Sequence, residues 1–166
     1  MDIFQFAMEK EKLSENFYHQ IAEKSSHSGI RNICSMLAAE ESKHFKIIQQ
    51  MQEWTPETVT DTDVISDGIK MFEQIRKSAE NLVFGDDELE LYEKARQIER
   101  ESIDFYKSKA EQSENQPQKI LFLKLAAEER KHYILVDNLC ELVQKPKIYL
   151  ENAEFTHIQD YADGVF

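Results

Sequence analysis

A chain of 166 residues with 32 acidic against 20 basic side chains and a formal charge of −12 is about one domain's worth of protein. It offers no clustered Lys/Arg surface, which argues against a nucleic-acid partner. Four Gly and three Pro favour long helices over a sheet-rich fold, so an all-α domain is expected. No apolar run nears the roughly 20 residues that span a bilayer, and Met1-Asp2-Ile3-Phe4 lacks the basic start of a signal peptide; a cytoplasmic protein with no membrane partner is expected. Cys34 and Cys140 stand alone on predicted helices and read as small buried apolar side chains rather than a redox pair.

The first helix is expected to take Asp2 as its N-cap and end near residue 25, at Ser25-Ser26-His27-Ser28-Gly29. Its apolar stripe reads Ile3, Phe6, Ala7, Ser14, Phe17, Tyr18, Ile21 and Ala22, and Glu11 lies inside that stripe. The second helix follows to about residue 54. Ile30, Ile33, Cys34, Leu37, Ile48 and Met51 form its apolar face, interrupted by Glu41 and His44. After Thr55-Pro56 a polar stretch leads to a shorter helix near 65–82, with Ile69, Phe72 and Ile75 on its apolar side. Antiparallel neighbours need only a short loop, so the roughly 30 residues between the second and third long helices imply a crossover along a bundle.

Gly85-Asp86-Asp87 starts the third long helix, expected over about 87–112. Its inward stripe is Leu91, Ala95, Ile98, Glu99, Ser102 and Tyr106. The fourth is expected from Pro117 to about 143, with Phe122, Leu125, Glu129, His132, Val136 and Leu139 inward. Pro146 breaks the pattern. Residues 1–145 therefore read as one four-helix bundle and 146–166 as a C-terminal extension, whose Tyr149, Leu150, Phe155, Tyr161 and Phe166 provide apolar surface to dock on the bundle or on a partner.

One passage occurs twice. Leu37-Ala38-Ala39-Glu40-Glu41-Ser42-Lys43-His44 returns as Leu125-Ala126-Ala127-Glu128-Glu129-Arg130-Lys131-His132, 88 positions later. The same offset carries Glu11 onto Glu99, Ser14 onto Ser102 and Phe17-Tyr18 onto Phe105-Tyr106. Between 7–44 and 95–132, 15 of 38 positions are identical, where unrelated segments would share roughly 2. The chain is thus a duplicated helical hairpin, two halves of one bundle.

Residues three apart on a helix share a face, so Glu41 with His44, and Glu129 with His132, can serve one centre. With Glu11 and Glu99 they make six candidate metal ligands. Four inward carboxylates cost several kcal/mol each unless compensated. Two divalent ions balance four Glu charges, with both imidazoles neutral. The alternative is a metal-free polar network of shared protons, which does not require the duplicated spacing. Mixed oxygen and imidazole ligation suits two ions of iron or of manganese, and the ligand set does not choose between them. Elsewhere the reading is plainer. Glu154-x-x-His157 has no counterpart in the repeat, His19 and His27 are expected in solvent or at a turn, and Glu9, Glu15, Glu40, Glu101 and Glu128 are expected as surface charges.

Across roughly residues 2–143 the chain resembles rubrerythrin-type members of the ferritin-like superfamily. The resemblance rests on Glu11 with Phe17-Tyr18, Glu41-x-x-His44, Glu99 with Phe105-Tyr106, and Glu129-x-x-His132. It implies a ferritin-like bundle in which Glu41 and Glu129 bridge two metals, Glu11 and Glu99 are terminal ligands, and each His caps one ion. It further implies that Tyr18 and Tyr106 donate to ligand carboxylates, and that the protein is a homodimer. Two departures stand out. Rubrerythrins typically carry a further carboxylate one turn after the third-helix Glu, where this chain has Ser102, and the four-Cys rubredoxin module is missing, so electrons must come from a separate donor.

Three functions follow as expectations. The leading one is a di-iron oxidoreductase that reduces a small-molecule oxidant, hydrogen peroxide or dioxygen, with electrons from an external donor. The second is iron oxidation, storage or transfer of the bacterioferritin kind, although Ser42 stands where bacterioferritins carry a haem-binding Met. The third is a metal-dependent binding or sensing module that uses the 146–166 tail.

Overall fold

The computed structural model describes residues 2–53, 61–78, 82–151 and Ile158. It is all-α: α1 Ile3–Lys24, α2 Ser28–Gln52, α3 Val64–Ser78, α4 Asp86–Gln112, α5 Gln116–Gln144 and α6 Pro146–Glu151, with no strand among the described residues. Helix α1 pairs with α2 and α4 with α5, and these two hairpins pack as the halves of a four-helix bundle. The helix starts follow local chemistry. The Asp2 backbone N–H donates to Gln5 Oε1 at 3.3 Å, closing the first turn of α1. The ring of His27, at the turn, accepts from the Gly29 N–H through Nδ1 at 3.2 Å. Asn115 Oδ1 accepts from the Gln118 N–H at 3.1 Å, so α5 starts at Gln116, one residue before the start expected from Pro117.

The crossover carries α3, which lies against α2 and α5. Gly68 and Gly29 are the close approaches that allow this. A Cβ on Gly68 would meet Leu135 Cδ2 at 2.5 Å, and one on Gly29 would meet Ile75 Cγ1 at 2.3 Å. Helix α3 was expected to reach residue 82, but Leu82 lies beyond its end, while 79–81 fall outside the described residues. The expected end of α2 at Trp54 also lies outside them. Pro146 opens α6, which turns the chain back so that the Tyr149 hydroxyl donates to Asn138 Oδ1 at 3.0 Å and its ring sits 6.0 Å from Phe72. With Ile158 buried in the same core, the described part of the extension docks on the bundle. Phe155, Tyr161, Phe166, Glu154 and His157 lie outside the described residues.

The apolar core is divided in two. One cluster gathers Tyr18, Ile30, Ile33, Cys34, Leu37, Phe72, Tyr92, Leu135 and Leu139 with their neighbours. The other gathers Phe4, Ala7, Ile48, Tyr106, Leu121, Phe122 and Leu125. Between them lies a buried polar layer, described below. Both cysteines are free and buried; burial pushes the Cys34 thiol up to about 12 and the Cys140 thiol up to about 11, so both are inert at neutral pH.

Two expectations about facing are corrected. Phe6 is 45% exposed and Phe4 takes the core position, because the inner line of α1 runs through residues 4, 7, 11, 14 and 18. Glu40 and Glu128, expected at the surface, are buried, at 6% and 2% exposure. For Glu128 the cause is the crossover. The Thr62 hydroxyl donates to its Oε2, and Lys131 reaches both Glu128, at 2.7 Å, and Asp61, at 3.2 Å. Four helices alone would leave this face open.

Candidate metal centre

The polar layer holds Glu11 of α1, Glu41 and His44 of α2, Glu99 of α4, and Glu129 and His132 of α5, each at most 2% exposed. Each α2 or α5 Glu-x-x-His stands at helical spacing, and its two side chains reach the same centre. One ligand atom from each of Glu41, His44, Glu129 and His132 can be chosen so that all four lie within 4.8 Å of one another. Glu11 and Glu99 flank this group on opposite sides.

The distances divide the carboxylates into two kinds. His44 Nδ1 lies 2.8 Å from Glu129, 3.8 Å from Glu41 and 3.4 Å from Glu11. His132 Nδ1 lies 3.0 Å from Glu41, 3.5 Å from Glu129 and 3.9 Å from Glu99. Glu41 and Glu129 thus face both imidazoles, whereas within 4 Å Glu11 meets His44 and Glu99 meets His132. The two rings stack, 5.2 Å apart and 11° from parallel.

Hydrogen bonds around the layer cross between the halves. The Tyr18 hydroxyl of α1 donates to Glu99 on α4, and the Tyr106 hydroxyl of α4 donates to Glu11 on α1. Burial and then the adjoining carboxylate, Glu99 for Tyr18 and Glu11 for Tyr106, raise both phenols, so each remains a donor at neutral pH. Each tyrosine thus reaches the outer glutamate of the other half rather than that of its own helix. Ser14 and Ser102, symmetric in the repeat, are buried in the same stripe.

Without a cation this layer is electrostatically costly, since burial and like charges act together on Glu41 and Glu99. Burial and the neighbouring Glu129 and Glu11 carboxylates raise Glu41, and burial with Glu41 and Glu129 raises Glu99. Burial also pushes Glu129 upward, but His44 and His132 outweigh it and hold Glu129 low. Burial disfavours charge on His44 and His132 too, yet the facing carboxylates reverse that and raise both. The metal-free centre is therefore a proton-sharing set.

A second observation tests whether a cation fits. Glu11 Oε2, Glu99 Oε2, His44 Nε2 and His132 Nε2 are buried without a hydrogen-bond partner. Such atoms are rare in folded proteins, because each costs about 1–3 kcal/mol. The two orphaned carboxylate oxygens are symmetric, one on each flank, Glu11 Oε2 3.4 Å from His44 Nδ1 and Glu99 Oε2 3.9 Å from His132 Nδ1. Oxygen donors with a neutral imidazole on each side form a donor set for divalent first-row metals, so the residues present fit a two-metal site.

The family model for rubrerythrin matches residues 2–140, the stretch that holds all six of these side chains. The chain belongs to the rubrerythrin family. Searches of curated proteins and of solved structures each found no significant match. Membership brings the ferritin-like fold and, with the buried Glu/His group, a site able to bind metal. Among the described residues no helix is long and apolar enough to cross a membrane.

The inward Glu-x-x-His pairs were legible in the repeat. Glu40 and Glu128, each directly before an inward glutamate, were missed as buried carboxylates. Glu40 Oε2 has no hydrogen-bond partner, while Lys43 pairs with its Oε1.

Proposed function

We propose that this rubrerythrin-family protein is a di-iron oxidoreductase that reduces hydrogen peroxide or dioxygen with electrons from an external donor. The observation that carries the reading is the paired division of carboxylates: two facing both imidazoles and one flanking each. On this reading Glu41 and Glu129 would be shared by the two metals, Glu11 and Glu99 would each hold one from its own flank, and His44 and His132 would each hold one ion. Manganese is the alternative metal. When bound there, a reduced iron pair would supply the two electrons that the oxidant takes up.

The chain's own residues do the rest. Tyr18 and Tyr106 hold the outer carboxylates by charge-assisted hydrogen bonds, which fix their orientation when one oxygen is engaged by a cation. Ser14 and Ser102 bring hydroxyls, not carboxylates, to the inner stripe. The ligand set therefore stays at four carboxylates, and no extra glutamate stands one turn after Glu99 to exchange with it. The apolar clusters above and below keep bulk water away from the layer. The free thiols of Cys34 and Cys140 suit a reducing, cytoplasmic compartment.

Stopped-flow absorbance on anaerobic, ferrous-loaded protein tests the reading. Oxidation by peroxide or by dioxygen, lost in Glu41→Ala and Glu129→Ala, is the expected result. No reaction with either oxidant after confirmed loading contradicts it.

A further inference from the structure

The seam between α1 and α4 sets lysines over aromatic rings beside exposed apolar side chains. Its outer line carries Phe6 and Leu13, 45% and 69% exposed, together with the half-buried Phe17 and Phe105. Phe6 and Phe105 meet at 5.2 Å. Three lysines lie along these rings: Lys10 and Lys109, each with Nζ 5.7 Å from the centroid of Phe105, and Lys94 at 5.3 Å from Phe17. Lys109 also donates to Gln112 Oε1 at 3.1 Å. None of the three has a carboxylate within 4 Å among the described residues, so each is held by its ring rather than by an ion pair. In a chain with 12 more acidic than basic side chains, three cations held over rings beside exposed apolar groups form a surface whose complement is acidic. Glu101, on the same helix, accepts from Gln97 at 3.0 Å.

We propose that the α1–α4 seam is the docking surface for an acidic electron-donor protein, a role that rests on the oxidoreductase reading above. An apolar centre rimmed by positive charge suits a partner with an apolar contact inside an acidic rim, the charges steering encounter and the exposed Leu13 and Phe6 supplying contact area. A second copy of this chain fits less well, since a two-fold contact would set the same three lysines against each other. The position also suits electron delivery. The seam is the outer side of the two helices that carry Glu11 with Tyr18 and Glu99 with Tyr106, so one layer of helix separates the docked partner from the outer carboxylates. Each encounter delivers one electron; two electrons and two protons convert one hydrogen peroxide to two waters.

The test uses the full chain and, as probe, a plant-type [2Fe–2S] ferredoxin, an acidic one-electron carrier. Zero-length carbodiimide cross-linking of the metal-free protein joins lysines to carboxylates in contact. Cross-links on Lys10, Lys94 and Lys109 that fade with added salt and vanish in the triple Lys→Glu variant, but persist in a Lys70→Glu, Lys77→Glu control, are expected. Cross-links elsewhere, no complex, or links between two copies of this chain through these lysines overturn the proposal. In the iron-loaded, oxidised protein, reduction by the ferredoxin should slow on the order of tenfold in the triple variant or in Leu13→Asp, with reduction by dithionite unchanged. An unchanged ferredoxin rate overturns the docking surface and leaves the oxidoreductase reading standing. A complex at the seam through which no electron passes overturns the donor role, while the oxidoreductase reading stands or falls on the oxidant kinetics above.

Discussion

The Tyr106 end and the Tyr18 end of the buried layer are copies of one design packed in different ways. Tyr106 stacks on Phe122 at 6.1 Å, and Phe122 stacks on Phe4 at 6.1 Å. Moved by the repeat offset, Phe122 becomes Cys34 and Phe4 becomes Tyr92, both in the larger cluster with Tyr18. The larger cluster also receives α3, Tyr149 and Leu150 of α6, and Ile158, while the smaller one does without them. Between these ends the polar layer is unchanged, glutamate for glutamate and histidine for histidine. Apolar packing can be rebuilt around a different set of volumes, provided the space stays filled. A buried carboxylate cannot be exchanged so freely, because its oxygens need a donor or a cation at a fixed place.

The largest effect that separates the ends is a cavity. Phe122→Ala in the metal-free protein is expected to cost about 3–5 kcal/mol, and Cys34→Ala, at the equivalent position, about 1–2, since far less volume is lost and more of the chain packs nearby. Urea denaturation of both variants measures this. Equal losses would mean that the two ends are not packed differently in any way that matters.

Next is the pH dependence of the shared layer. In the metal-free protein Glu41, Glu99, His44 and His132 have raised values. Each contributes stability that is complete below its unfolded value and lost as pH rises through the folded one. Glu129, held low, works the other way, but its contribution is already in place above the ordinary glutamate range. Between about pH 5 and 8 the raised groups act alone, so metal-free stability should fall as pH rises. With ferrous or manganous ion present the slope should reverse, because binding requires the deprotonated carboxylates. Thermal midpoints at several pH values, with and without metal, give both slopes; a shared slope would remove the metal from the account.

The smallest effect concerns the one side of the layer that the crossover covers. Thr62→Val should cost about 1.5 kcal/mol, by leaving Glu128 Oε2 without its hydroxyl donor. A change within error would show that Lys131 alone satisfies Glu128.

How far the sequence reaches can be judged from the same residues. The inward position of Glu11, Glu41, Glu99 and Glu129 was legible because each interrupts an apolar stripe and recurs at one offset. Helix starts at Asp2 and next to Pro117 were legible from cap chemistry. Phe6 was not, since Ile3, Phe4 and Phe6 crowd one turn and the inner line is decided by contact with the other helices. Glu128 was not, because its burial depends on Thr62 and Asp61, distant in sequence. The crossed bonds from Tyr18 to Glu99 and from Tyr106 to Glu11 depend on how α1 and α4 pair, which spacing within one helix does not contain.

The central claim is that six side chains hold two metal ions, two of them shared and four not. Anaerobic titration with ferrous ion, followed by calorimetry and elemental analysis of the washed protein, tests it most directly. The account predicts two equivalents in the wild type, about one in both Glu11→Ala and Glu99→Ala, and near none in Glu41→Ala or Glu129→Ala. A single equivalent in the wild type, or full binding after loss of Glu41 or Glu129, would contradict it.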